Sequence, residues 1–262
     1  METFADYILK EPNLINKMDI LNRLQRLLKE RKGITIFFNN TIIFKTELAR
    51  MFIEYSHIDI DENLVLTACL LCNCKKIDGP QSLESLHSYA KKGAEFLATL
   101  GFDERFCKIC EEVNRYSGSS PREPESDILE LVDNFGGMLL DRPERAGFTP
   151  EKAIIQLEEE KFRKCENIYF DQFKEFVKEM QEVEIKIGTV FMKPLEALKK
   201  ICEENPINRV RGVFLPKYEK LLNEKIKAKE QIPMFTQDTR NQYLGDINIV
   251  EELKSEKDSL EK

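Results

Sequence analysis

The chain has 262 residues, of which 42% are hydrophobic and 33% are charged, and its formal net charge is -7 at pH 7. This composition fits a soluble globular protein, and the acidic balance argues against a dedicated nucleic-acid binder, which would carry a basic face. The sequence has no apolar run of about 18–20 residues that would span a bilayer, and its N-terminus does not read as a secretory signal. We therefore expect a cytoplasmic protein with neither a membrane nor a nucleic-acid partner, in which the 7 cysteines are reduced thiols.

The N-terminal part of the chain predicts two helices joined by an ambiguous segment. Apolar residues spaced three and four apart indicate a helix over residues 18–31, which Gly33 ends, and another over residues 46–56. Between them, residues 34–44 are apolar on both sides of a central Asn-Asn pair. Either a short hairpin or an irregular link fits that pattern.

The next predicted helix is the most apolar in the chain. Asp61 is its candidate N-cap, and the helix continues through Leu64, Val65, Ala68 and Leu71 with almost no polar residue. A helix that is apolar on nearly all sides lies in the centre of a fold. The residues that follow its C-terminal end should therefore emerge from the middle of the core.

Five more helices follow in the central part of the chain. Thr149 is a good N-cap for one of them, with Pro150 at the first helical position. The apolar spacing places these helices at residues 85–100, 103–116, 126–140, 150–159 and 171–182.

The pattern changes after Val183. Residues 184–192 alternate like a strand, residues 195–202 are helical, and residues 217–229 read as a charged helix. Taken together, the elements predict an all-α fold. We divide it into an N-terminal helical extension (1–43), a helical bundle (44–182), an extension with a short strand or hairpin that packs on the core (183–235), and a polar tail that is disordered unless a partner orders it (236–262).

Several short motifs occur in order within the predicted bundle. Residues 70–77 read Leu-Leu-Cys-Asn-Cys-Lys-Lys-Ile, and residues 93–97 read Gly-Ala-Glu-Phe-Leu. The later motifs are Val-Asp-Asn-Phe (132–135), Asp-Arg-Pro-Glu-Arg (141–145), Thr-Pro-Glu-Lys-Ala (149–153) and Tyr-Phe-Asp (169–171). This order resembles the HD-GYP family, a bacterial branch of the HD-domain phosphohydrolases, whose first motif is Leu-Leu-His-Asp-Ile-Gly-Lys-Ile.

The resemblance implies an HD-domain-like helical bundle. In active members histidines and aspartates hold two or three metal ions, which activate a water against a cyclic-dinucleotide phosphodiester. The family's metal ligands fall on Phe44, Cys72, Asn73, Tyr89, Glu112, Val113 and Asp133. Only Asp133 is an intact ligand, because apolar side chains cannot ligate and a neutral amide cannot bridge two cations as a carboxylate does. Of the family's Gly-Tyr-Pro element, Gly118 and Pro121 remain.

Other charged residues have two interpretations. Lys76 matches the family's lysine and is a candidate phosphate contact, whereas Arg115, Arg142 and Arg145 either form structural ion pairs or help to bind phosphate. Asp133 itself has a structural interpretation as a buried hydrogen-bond acceptor that ties helices together. The 2 histidines of the chain, His57 and His87, are expected at the surface.

The cysteines offer a rival chemistry. Cys72, Cys74, Cys107 and Cys110 are a candidate set of ligands for zinc or an iron–sulfur cluster. However, Cys107 and Cys110 fall within a predicted helix instead of a knuckle turn. Buried free thiols that pack as small hydrophobic groups are the competing interpretation.

The residues thus favour a catalytically inactive HD-GYP-like protein without a metal cofactor. It would act as a regulatory or scaffold module in bacterial signalling, through a protein partner or self-association. Two alternatives remain open: a sensor of a cyclic dinucleotide such as cyclic di-GMP in the vestigial cleft, and a phosphodiesterase with a rebuilt metal site. Because an acidic chain with few basic residues at the site is a poor trap for a dianion, the scaffold is favoured over the sensor.

Overall fold

The structure is a computed structural model that describes residues 2–77, 82–117, 122–141, 145–187 and 189–204. Over these ranges the fold is all-α, as predicted, with a single two-stranded sheet. The predicted helix at residues 217–229 and the predicted tail at residues 236–262 lie outside the described residues. The elements are α1 (Phe4–Lys10), α2 (Leu14–Lys32), α3 (Asn40–Ser56), α4 (Glu62–Leu71), α5 (Leu83–Thr99), α6 (Glu104–Glu111), α7 (Pro124–Leu139), α8 (Pro150–Gln156), α9 (Phe170–Glu182), β1 (Ile185–Ile187), β2 (Val190–Met192) and α10 (Pro194–Glu204).

One hydrophobic core extends from α1 to α10. Helix α3 packs along both α4 and α7 in its centre, and α4 is buried over most of its length, as predicted from its composition. Phe173 of α9 meets Phe52 of α3 and Phe135 of α7 edge to face, with ring centroids 5.0 Å apart in both pairs. The N-terminal helices share this core, and the predicted boundary at residue 44 falls inside α3.

Helix ends follow the capping chemistry read from the sequence. The side chains of Asp61 and Thr149 accept backbone hydrogen bonds in the first turns of α4 and α8, at 3.0 and 3.3 Å. Gly33 ends α2 with a left-handed φ of 64°, and the Ile34 N–H reaches back to the Leu28 carbonyl at 3.1 Å. These contacts confirm the predicted start of α4 and end of α2.

Of the ambiguous segment, residues 34–39 form an irregular link and not a hairpin, whereas residues 40–44 belong to neither alternative and form the start of α3. The backbone groups of this link are satisfied by two different neighbours. Gln25 Nε2 donates to the carbonyls of Ile36 and Phe38, both at 3.1 Å, while the Phe37 N–H donates to the Cys74 carbonyl at 2.8 Å. The link is thereby joined to the turn that follows α4.

Two predicted helices differ in their C-terminal halves. The helix predicted over residues 103–116 ends at Glu111, and a 3-10 turn (Arg115–Ser117) follows it. Helix α8 continues as a π-helical segment (Leu157–Phe162) that carries three consecutive glutamates. The spacing of apolar residues does not distinguish a short 3-10 or π-helical segment from an α-helix, because over a few residues all three place nearly the same positions on one face.

The predicted strand or hairpin after α9 is an antiparallel hairpin of β1 and β2, in which Ile185 lies opposite Met192. Helix α10 returns from it to α3 and α9. Within the described residues, no helix is both long enough and apolar enough to cross a membrane.

Candidate functional site

An ion pair between α3 and α7 is the centre of the candidate site. Lys45 Nζ lies 2.7 Å from Asp133 Oδ1, and the two side chains are only 8% and 15% exposed. Asn73, in the turn after α4, donates from Nδ2 to the same carboxylate oxygen at 2.9 Å. Asp133 is therefore an acceptor that joins α3, α7 and the end of α4, which confirms its structural interpretation.

A glycine allows the close approach of α3 and α7 at this point. A Cβ built on Gly136, which follows Asp133 on α7, would lie 2.9 Å from Lys45 Cγ and 3.4 Å from the Phe44 ring. A separation of 2.9 Å is shorter than the distances that Cβ atoms keep from other side chains in proteins. The aliphatic part of Lys45 can therefore pass over α7 here only because residue 136 has no side chain. Phe44 is fully buried beside it and belongs to the core.

Two opposing effects act on the Asp133 carboxyl. Burial raises its pKa, but the positive charges of Lys45 and Lys76 and the hydrogen bonds from Lys45 and Asn73 outweigh burial. The net result is a pKa well below the usual value for an aspartate. Asp133 is thus a fixed anion at neutral pH, and its nearest cation is Lys45.

The turn after α4 directs an amide donor, and no anionic group, toward Asp133. Asn73 is buried, and its Nδ2 lies 3.5 Å from Cys72 Sγ as well as 2.9 Å from Asp133. Its Oδ1 has no hydrogen-bond partner among the described residues. Burial raises the pKa of the Cys72 thiol well above its usual value, so this side chain is protonated.

Tyr89 lies next to this turn and is also uncharged. It is buried on α5 and hydrogen-bonded to Asn114, and burial raises the pKa of its phenol well above the usual value. Lys76 Nζ lies 5.5 Å from the centroid of the Tyr89 ring. The structure therefore brings Tyr89 and Lys76 to the same side of the molecule as Cys72 and Asn73.

Glu112 and Val113 serve the packing of α6 against α7. The Glu112 carboxylate accepts from the Glu123 N–H at 2.9 Å and from Ser126 Oγ at 2.7 Å, at the start of α7. Val113 is a buried core residue. These two positions thus support the N-terminal end of α7, whereas the Lys45–Asp133 pair lies further along that helix.

Arg115 forms a structural ion pair. Its Nε and Nη2 donate to the two carboxylate oxygens of Glu130 at 2.9 and 2.7 Å, and Glu130 is fully buried. Arg122 Nη2 and Lys161 Nζ also reach this carboxylate, at 3.4 and 3.1 Å. The structure therefore assigns Arg115 to a buried charge cluster on Glu130, and not to the cavity beside Asp133.

Arg145 is engaged by backbone oxygens. It donates to the carbonyls of Gly137, Met138 and Ala146 at 2.9, 3.1 and 3.1 Å, and its guanidinium lies 4.6 Å from the Phe148 ring centroid. It thereby satisfies carbonyls that the end of α7 leaves without helical partners. Arg142 lies outside the described residues.

A cavity of about 310 Å³ opens beside the Lys45–Asp133 pair. It brings together three residues that the sequence singled out, Lys76, Asp133 and Arg145, and among its other lining residues is Lys45, which the sequence did not single out. Its walls are formed by Lys45, Lys76, Asp133, Asn134, Met138, Arg145, Phe148, Gln156 and Glu160.

The cysteine alternative is wrong in its geometry. Within the described ranges, which include Cys72, Cys74, Cys107 and Cys110, no group of three or more histidine, cysteine, aspartate or glutamate side chains is arranged to hold a metal ion. Burial raises the pKa of the Cys74 thiol to about 12 and that of Cys107 to about 11. These cysteines are protonated, free thiols that pack as small hydrophobic groups.

The residues present also do not fit the metal centre that the resemblance implies. Its remaining carboxylate is paired with Lys45, the Asn73 amide donates to that carboxylate and to Cys72 Sγ, and Phe44 and Val113 supply no ligand atom. A hard divalent cation needs several anionic or carbonyl oxygens and neutral imidazoles in one shell. Both histidines are exposed, as predicted, and His87 stacks on Tyr116 with ring centroids 4.0 Å apart.

Sequence reasoning missed Lys45 and Glu130. Lys45 lies between apolar residues of α3, which was a signal: a lysine on the buried side of a helix requires an anionic or carbonyl partner. Glu130 gave the same signal within the apolar pattern of α7.

Comparison with models of protein families, with curated proteins and with solved structures found no match to the chain.

Proposed function

We propose that the chain is a catalytically inactive, HD-GYP-like protein that acts as a cytoplasmic scaffold or regulatory module in bacterial signalling. One observation supports this proposal above others: three of the charged groups expected to hold metal or phosphate are engaged within the chain itself. Asp133 is paired with Lys45, Arg115 with Glu130, and Arg145 with three backbone carbonyls. Groups that are already satisfied gain little from a ligand and lose their partners on binding it.

The hairpin is our candidate contact surface. Val190 and Phe191 of β2 are 50% and 61% exposed, and Val183, which follows α9, is 39% exposed. Consecutive strand residues point to opposite faces, so each face of the hairpin exposes an apolar side chain, and exposed apolar side chains are a feature of protein–protein contacts. A second copy of the chain or a protein partner would bury them.

Light scattering of the purified chain tests self-association. The proposal predicts a mass above the 30.7 kDa of one chain, and Phe191→Ser should restore the single-chain mass. Ile155→Ser is the matched control, because Ile155 is equally apolar and exposed but lies on α8. A wild-type chain that stays monomeric would restrict the proposal to a heterologous protein partner.

The cavity supports a second candidate, a sensor of a cyclic dinucleotide. Lys45, Lys76 and Arg145 line one space of about 310 Å³ together with the carboxylates of Asp133 and Glu160, and the excess of one positive charge there favours an anionic ligand. Calorimetry with cyclic di-GMP decides between the candidates. Binding that is lost in Lys76→Ala would favour the sensor, whereas the absence of heat at high micromolar ligand would exclude the sensor.

A phosphodiesterase assay with added manganese tests the third alternative, a phosphodiesterase with a rebuilt metal site. The scaffold proposal predicts no turnover in this assay.

A further inference from the structure

We propose that Asp133 and the Asn73 turn form a built-in cation site whose resident ligand is the ammonium group of Lys45. When Lys45 is shortened, this site will take a small primary alkylammonium ion from solution. The inference concerns the chemistry of one site and goes beyond the scaffold role, because it holds whether or not the hairpin binds a partner.

The geometry of the acceptors supports the first half of the proposal. An ammonium group has three N–H donors and no acceptor, so it needs oxygens close by. Asp133 Oδ1 lies 2.7 Å from Lys45 Nζ, and Asn73 Nδ2 fixes that oxygen from another side at 2.9 Å. Asn73 Oδ1 has no hydrogen-bond partner within the part of the chain described, so it accepts no bond from Lys45, and the ammonium is held there by the Asp133 carboxylate.

The space around the lysine stem supports the second half. The stem passes over Gly136, where a Cβ would lie 2.9 Å from Lys45 Cγ, and it then reaches a cavity of about 310 Å³. Lys45→Ala therefore leaves a channel that begins beside Gly136 and joins this cavity. The carbons and nitrogen of propylammonium correspond atom for atom to Cγ, Cδ, Cε and Nζ of the missing side chain.

The donor set selects an ammonium ion over a divalent metal. Asp133 provides one carboxylate, and Asn73 and Cys72 on the turn add one amide oxygen, one N–H directed at that carboxylate and a thiol. Divalent manganese or magnesium takes about six oxygen ligands, which this set lacks. A monovalent ion with directed N–H donors matches a single carboxylate flanked by an amide.

The test is chemical rescue of Lys45→Ala. Propylammonium should raise the Tm of this variant by about 2 to 4 °C at a concentration well above its Kd. Wild type should show no shift, because Lys45 already fills the site. Lys45→Met is the matched control: it removes the charge but keeps a stem in the channel, so it should also show no shift. If Lys45→Ala does not fold alone, the readout becomes its circular dichroism after refolding with and without propylammonium.

Two further cations test whether the shift comes from charge alone or from ionic strength. Tetramethylammonium has the same charge but no N–H donor, and sodium tests ionic strength, so neither should reproduce the shift. The proposal is overturned if Lys45→Ala shows no response to propylammonium, if tetramethylammonium works as well, or if Lys45→Met responds equally. A larger shift with manganese than with propylammonium would also overturn it, since that result would define a metal site.

Discussion

Lys45 Nζ and Asp133 Oδ1 lie 2.7 Å apart across the α3–α7 interface, at the one ligand position that the family resemblance leaves intact. A lysine ammonium thus provides the positive charge beside this carboxylate. The pair costs desolvation on both sides, which is offset only while both partners and the Asn73 hydrogen bond are present.

Removal of both partners should cost less than the two single removals added together. Lys45→Met leaves Asp133 without its ammonium and should lower the free energy of unfolding by about 2–4 kcal/mol. The double variant with Asp133→Asn should lose clearly less than the sum of the two single variants. Urea denaturation of all four proteins measures this coupling, and additive losses would show that the pair contributes nothing as a pair.

The pair also predicts an acid dependence. The folded-state pKa of Asp133 lies below its value in the unfolded chain, so the unfolded chain takes up the proton first as pH falls. The stabilisation is therefore complete above about pH 4 and is lost progressively as pH falls toward the folded-state pKa. Between pH 6 and pH 3 the Tm of wild type should fall more steeply than that of Asp133→Asn. Parallel curves would contradict this assignment.

Gly136 should be intolerant of a methyl group because of Lys45. Gly136→Ala forces its Cβ against Lys45 Cγ and should cost about 1–3 kcal/mol of unfolding free energy. The cost should shrink when the same change is made in Lys45→Ala. Gly93→Ala on α5 is the control, because its Cβ would meet Cys74 Sγ at an ordinary 3.5 Å and alanine favours a helix. Equal losses at the two glycines would contradict the proposed steric cause.

The buried carboxylate of Glu130 should be essential for folding stability. Glu130→Gln leaves Arg115, Arg122 and Lys161 around a neutral group and should cost about 3–5 kcal/mol. Glu158→Gln, which breaks an exposed pair with Lys174, should change stability by no more than about 0.5 kcal/mol. Chemical denaturation compares the two. A small effect at Glu130 would mean that the three cations find other partners.

Lys17 predicts a dependence at alkaline pH. It is buried and donates to the Ile8 carbonyl and to Thr67 Oγ1, and burial lowers its pKa to about 8. Since the unfolded chain keeps its lysine protons up to about pH 10.5, it binds more protons than the folded chain between these values, and stability should rise with pH there. The slope should be smaller in Lys17→Met. Urea midpoints at pH 8 and pH 9.5 measure it, and identical slopes would contradict the prediction.

Local chemistry made much of the fold predictable. Helix capping joins residues that are close in the sequence, so the starts of α4 at Asp61 and of α8 at Thr149 and the end of α2 at Gly33 can be predicted from the sequence. The buried character of α4 follows from its composition in the same way. For Asp133 the sequence offered two interpretations, and its hydrogen bonds with Lys45 and Asn73 agree with the structural one.

The site itself depends on contacts that the sequence does not encode locally. The partner of Asp133 lies 88 residues away on α3, and no spacing rule connects the two. Arg115 and Arg145 looked equally available for phosphate, yet one binds Glu130 and the other binds the carbonyls at the end of α7. Tertiary packing decides which anionic group or carbonyl each of these cations binds. The sequence therefore predicted some residues of the cavity beside Asp133 but not their partners.

Metal analysis of the purified wild-type chain tests the inactive-site proposal most directly. The protein would be expressed with added iron, manganese and zinc, and its metal content would be measured together with that of Asp133→Asn. Because Lys45 holds Asp133 and the other ligand positions lack suitable donors, we predict far less than one metal ion per chain in both proteins. One or more metal ions per wild-type chain that disappear in Asp133→Asn would contradict the proposal.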